Sequence, residues 1–267
     1  MTRFAAAHCR KAALSHVLAA AAVLTLLPVP GSPVQARQAA EAAAPTANDP
    51  ASALRLARAM RAAGDARSSV ELYRAAAQRK GADPGLQIEF GEALLDARLV
   101  DEAIGVFTVA AKDGRIAAEA ELGLARAALT LDRPADALVH AGRAAQLAPR
   151  DQRVLIGYGV ALDRAGRHEE AQAAYRSALA VSPRNPIARN NLALSLAFSG
   201  RFAEAVALVE PIARSADATP RDRQNLAFIY GLKGDRDMAL ALGRIDLDEA
   251  TAQANLAFYD FARSELK

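Results

Sequence analysis

From Pro50 onward, small and large apolar residues return every 34 positions. Copies started at Pro50, Pro84, Ala118, Gln152, Pro186 and Pro220 align without an insertion. The eighth place is then always small: Ala57, Gly91, Ala125, Gly159, Ala193 and Ala227. The twentieth is Ser69, then Ala103, Ala137, Ala171, Ala205 and Ala239. Large residues fill the seventh place (Leu56, Phe90, Leu124, Tyr158, Leu192, Leu226), and Tyr73, Phe107 and Tyr175 fill the twenty-fourth in three copies. Small side chains let helix axes approach to the lower end of the roughly 8 to 10 Å range, and large ones pack beside them. Gly64, Gly166, Gly200 and Gly234 interrupt the copies midway, while Pro149 and Pro183 close two of them. Helical spacing punctuated by breakers predicts two helices per copy.

The fourth copy contains "VLIGYGVALDRAGRHEEAQAAYRSALAVSPRN", Val154 to Asn185, which resembles the tetratricopeptide repeat (TPR). The family's tryptophan at the fourth place is absent from every copy. The resemblance implies an all-α, right-handed TPR superhelix, an α-solenoid of six 34-residue helical hairpins over residues 50–246, followed by a capping helix over 247–267. Each hairpin of a solenoid is buried only by its neighbours, so the last one needs protection.

In TPR domains the concave groove is lined mainly by places 2, 5, 9, 12 and 13 of each first helix. The early copies place Arg58, Arg61, Glu92, Asp96, Glu119 and Arg126 there, and the later ones Ile156, Val160, Ile187, Leu194, Phe198, Phe228 and Leu232. Arg153, Arg164, Arg189 and Arg221 supply a polar rim. Burying one large apolar side chain is worth roughly 1.5 to 3 kcal/mol, so seven left wet would forgo on the order of 10 kcal/mol. Two covers are open: a partner's helix or peptide, and the chain's own C-terminal helix. The Lys/Asn/Arg carboxylate clamp of chaperone-binding TPR domains is not reproduced, because the ninth places of the last three copies are Val160, Leu194 and Phe228.

The tetrapeptide Asn-Leu-Ala-Phe occurs at Asn225 and again at Asn255, a step of 30 rather than 34. Asp248 is a natural N-cap for a last helix running from Glu249 to about Leu266, with Leu256, Phe258, Tyr259 and Phe261 available to close the solenoid. The stretch Arg223 to Arg263 resembles the C-terminal part of the TadD family, TPR proteins of tight-adherence (Flp) pilus assembly. The resembling residues are Arg223 to Ala227, Asp246-Leu247, and Asn255 to Ala257 followed by an aromatic. This likeness implies a non-enzymatic periplasmic scaffold whose partners are the pilus secretin or assembly subunits, associated with the outer membrane through them. A general cell-envelope adaptor in polysaccharide export or wall remodelling fits the same repeats.

The first 36 residues read as a secretory signal peptide: Arg3, Arg10 and Lys11 precede the apolar run Val17 to Leu27, and Val34 and Ala36 form a small-residue cleavage pattern. That run would span about 16 Å as a helix, against about 30 Å of hydrocarbon. Cleavage is expected after Ala36, with 37–49 a flexible lead. TadD proteins commonly carry a lipid-modified cysteine after the apolar core; here Cys9 precedes the core, so no lipid anchor is expected.

Without residues 1–36 the chain keeps thirty basic and thirty acidic side chains and no cysteine. Such balance argues against nucleic-acid binding, which needs a concentrated basic surface. No thiolate site is possible, and His140 and His168 stand far apart in sequence, so neither metal nor cofactor is expected. The pairs Asp101-Glu102 and Glu169-Glu170 open second helices, where carboxylates complement the helix dipole. His168 is expected in a solvated turn. With no catalytic constellation, the chain reads as a non-enzyme.

Overall fold

The computed structural model describes residues 50–78 and 83–266. The expected signal peptide, its cleavage site at Ala36 and the lead 37–49 lie outside the described residues. Thirteen helices and no strand occur among the described residues. They are α1 (Pro50–Ala62), α2 (Ala66–Ala77), α3 (Gly85–Asp96), α4 (Val100–Ala110), α5 (Ala117–Thr130), α6 (Pro134–Leu147) and α7 (Gln152–Arg164). The remainder are α8 (His168–Val181), α9 (Pro186–Phe198), α10 (Phe202–Ala213), α11 (Pro220–Lys233), α12 (Arg236–Asp246) and α13 (Glu249–Glu265). Helices α1 to α12 alternate as first and second helices of hairpins.

One turn, repeated every 34 residues, sets this alternation. Gly64, Arg98, Asp132, Gly166, Gly200 and Gly234 all have left-handed backbone, with φ between 54° and 94°. After each, the next N–H bonds the carbonyl five residues back, from Asp65 to Met60 (2.9 Å) through Asp235 to Tyr230 (2.9 Å). This 6→1 closure satisfies carbonyls left open at a helix end. A Cβ in that conformation costs roughly 1 to 2 kcal/mol, which explains glycine in four copies. Arg98 and Asp132 occupy the same turn without that freedom, so no breaker marks it in the sequence.

Side-chain caps fix several helix starts. Asp65, Asn185, Asp235 and Asp248 accept hydrogen bonds from backbone N–H groups three residues on, at 2.9 to 3.3 Å. Thr219 and Asp222 form a reciprocal capping box ahead of α11. Asp101-Glu102 and Glu169-Glu170 lie in the first turns of α4 and α8.

The chain divides into two compact units between Ala161 and Leu162, within the last turns of α7. In the first unit Tyr73, Phe90, Leu94 and Phe107 are buried in one core. A Cβ on Gly91 would stand 2.5 Å from the Phe107 ring, and Gly123 presses on the same ring from α5. An alanine cluster, Ala125, Ala128, Ala137, Ala141 and Ala161, continues the packing. In the second unit Leu192, Leu196, Leu226 and Ile229 are buried. There α13 packs against both α11 and α12, taking the position of a further first helix.

Candidate protein-binding face

The charged lining expected on the first helices of the first unit is neutralised internally. The Arg58 guanidinium donates to both Glu89 oxygens (2.7 and 2.6 Å), and Tyr73 donates to Glu89 at 3.2 Å. Arg61 bonds Asp96 at 2.6 Å and Glu92 at 3.3 Å, and Arg126 pairs with Glu92 from the other side. Arg153 reaches Glu119 at 3.3 Å and Asp151 at 2.9 Å. The Arg58 hydrogen bonds hold the Glu89 carboxyl below its ordinary range against the opposing effect of burial. The result is a ladder of ion pairs linking successive first helices, rather than a field of one sign. Ile156 and Val160, on α7 of this unit, are partly buried beside the exposed Arg153.

Of the apolar positions in the second unit, Leu194, Phe228 and Leu232 are buried, Phe198 is partly exposed and Ile187 is 57% exposed. Phe228 is covered from within the chain. Phe258 of α13 stacks on it with centroids 6.2 Å apart, and Tyr259 meets it edge-on at 5.3 Å. Gly231 permits this approach, because a Cβ there would stand 2.5 Å from the Tyr259 Cβ. Of the two covers open in the sequence, the C-terminal helix is the one that lies on Phe228. Of the expected rim, Arg164, Arg189 and Arg221 are partly buried, with Arg189 donating to the Pro183 carbonyl at 3.2 Å.

The covered ring belongs to a row. His168, Phe198, Phe228 and Phe258 follow one another at 30-residue steps, with successive ring centroids 6.1, 6.2 and 6.2 Å apart. Contacts of this kind add about 0.5 to 1.5 kcal/mol per aromatic pair beyond area burial. Arg223 closes the same region, gripping Asp246 through two hydrogen bonds of 2.7 and 2.6 Å.

The expectation of a solvated turn for His168 is corrected. Its side chain is 16% exposed, and Nδ1 lies 2.8 Å from the buried Asp163 carboxylate. Tyr175 donates to Asp163 at 2.9 Å and Ser195 donates at 2.7 Å. Facing a carboxylate oxygen that can only accept, Nδ1 takes the role of N–H donor. Burial, then the Asp163 charge, pushes the Tyr175 phenol well above its ordinary value. Nearby, Gln172 donates to Ser199 at 2.9 Å and accepts from Arg201 at 2.8 Å. Sequence reasoning missed this network. The available signal was polar residues at core-facing positions: Gln172 after Ala171, and Ser195 between Leu194 and Leu196.

No group of side chains among the described residues is arranged to hold a metal ion, and none of their helices is long and apolar enough to cross a membrane. Two family models described as tetratricopeptide repeat match the chain, over residues 31–184 and 164–227. An uncharacterized protein, y4yS, of Sinorhizobium fredii is 39% identical over 83 residues, covering 31% of this chain and 46% of that protein. The matches span less than half the length of the curated relatives. Among solved structures, the TPR protein TTC0263 of Thermus thermophilus is 25% identical with a TM-score of 0.55, covering 67% of this chain and 98% of that one. A tetratricopeptide repeat protein of Parabacteroides merdae aligns over 85% of this chain and 90% of its own, with a TM-score of 0.60 at 12% identity, a likeness of fold.

Proposed function

Because the chain belongs to the tetratricopeptide repeat family, we propose that it is a non-enzymatic, exported adaptor that joins other proteins during Flp/Tad-type pilus or secretion-system assembly. TPR proteins bind protein partners, and the scaffold suits protein–protein interaction.

The observation that carries this reading is the aromatic row of the second unit. It reaches the surface at the partly exposed Phe198 and has the exposed Ile187 on the same helix. Rigid rings backed by a packed core make good anchors, since little side-chain entropy remains to be lost on binding. The ion-paired ladder of the first unit is a poorer anchor, because a partner would have to displace existing pairs. The pilus setting and the periplasmic location are supported by the likeness of Arg223 to Arg263 to TadD proteins. The Arg223–Asp246 pair and the Phe228–Phe258 stack give that stretch a shared structural purpose, which is to seal the end of the repeats.

The test is photo-crosslinking in cells from p-benzoylphenylalanine at Phe198, followed by mass spectrometry. Capture of a secretin or pilus assembly subunit is expected. Capture of polysaccharide-export or wall-remodelling proteins would move the adaptor to a different envelope machine, and capture of residues 249–267 alone would remove this site.

A further inference from the structure

A second surface lies in the first unit, where the second helices α4 and α6 flank the first helix α5. Ile104 of α4, Leu124 of α5, Leu131 at its end and Val139 of α6 line a cavity of about 300 Å³. Leu124 is buried, whereas Leu131 and Val139 are 37% and 53% exposed. Arg133 and Arg143 also line it, together with Asp136 and His140.

The charges at this mouth are unequally satisfied. Arg133 has no ion-pair partner among the described residues. Arg143 lies 3.7 Å from Glu121, whose other oxygen is already engaged by His140 at 2.6 Å. Asp136 sits in the first turn of α6, where its charge faces the positive helix end. Two guanidiniums therefore stand beside an apolar slot with room for further carboxylates.

We propose that this groove docks an acidic, apolar segment of a partner protein, with one large side chain between Leu131 and Val139 and flanking carboxylates on Arg133 and Arg143. The volume sits at the small end of ligand pockets, about 300 to 1,000 Å³, and suits one anchoring side chain. Guanidinium forks match carboxylates through paired hydrogen bonds. A neutral apolar segment would instead strip water from Arg133 without replacing it. The surface uses different helices from the aromatic row, so the two stand or fall separately.

Fluorescence anisotropy of the full chain with three labelled peptides, EELFEEL, QQLFQQL and KKLFKKL, tests the proposal. The acidic peptide is expected to bind at least tenfold more tightly than the other two, and Arg133→Glu/Arg143→Glu to reverse the preference toward the lysine peptide. In the unaltered chain, EELFEEL is expected to shift the methyl resonances of Ile104, Leu131 and Val139. Equal affinity for the glutamine peptide, no binding of the acidic one, or shifts confined to other methyls would each overturn it. The methyl map decides the matter even if the double variant fails to fold.

Discussion

Phe258 lies on Phe228 with ring planes inclined by 17° and centroids 6.2 Å apart, so the last helix completes the aromatic row that the repeats begin. The return of Asn-Leu-Ala-Phe after 30 residues, against 34 for the repeats, reflects this join. The sixth copy ends its second helix at Asp246, and α13 restarts a first-helix pattern after the Asp248 cap.

Tyr259 holds that helix in place and is 4% exposed. Tyr259→Ala should destabilise the second unit by about 3 to 5 kcal/mol, the usual range for removing a large buried aromatic side chain. Urea unfolding followed by circular dichroism measures the loss. Enhanced binding of anilinonaphthalene sulfonate should accompany it as Phe228 is uncovered. An unchanged midpoint would mean that α13 contributes little to sealing the repeats.

The same side chain gives an alkaline signature. Burial pushes the Tyr259 phenol up to about 12, from an ordinary value of 10.0. The unfolded chain therefore loses this proton first as pH rises, and unfolding is favoured progressively between those two values. The stabilising contribution is complete below the unfolded value and is lost as pH climbs through the folded one. Tyr259→Phe should flatten this part of the stability–pH curve, as measured by thermal melts at stepped alkaline pH.

The left-handed turns give a contrast of opposite sign. Arg98→Gly should stabilise the first unit by about 0.5 to 1 kcal/mol, since relief of roughly 1 to 2 kcal/mol of strain is partly offset by the greater freedom of unfolded glycine. Asp132→Gly should gain less, because aspartate tolerates this conformation better than arginine. Gly166→Ala should be destabilising. Denaturant midpoints of the three variants should fall in that order.

Much of the repeat was legible because its signals are local. Gly64, Gly166, Gly200 and Gly234 mark turns by themselves, whereas Arg98 and Asp132 reveal theirs only through the 34-residue register. The charged lining was visible as residues, but its neutralisation depends on pairs such as Arg58–Glu89 and Glu92–Arg126 across successive helices. The apolar places were likewise visible without their cover. Only the packing of α13 shows that Phe228 is sealed while Phe198 remains at the surface. His168 was misplaced because sequence adjacency to Gly166 suggested solvent, while the partner that draws it inward, Asp163, lies on the preceding helix.

The carboxylate of Asp163 also holds Tyr175, and the energy of that contact can be tested. This carboxylate is buried and collects Tyr175, Ser195 and His168, donors from two helices beyond its own. Removing it leaves buried hydroxyls without an acceptor, so the penalty includes their desolvation as well as the lost bonds. Asp163→Ala should cost about 3 kcal/mol or more, while Tyr175→Phe, which removes a donor and leaves a ring of similar shape, should cost about 1 kcal/mol. A double-mutant cycle should give a coupling of roughly 0.5 to 3 kcal/mol. Simple additivity would show that the Tyr175 contact carries no shared energy, and that burial of the ring alone holds α8 against the end of α7.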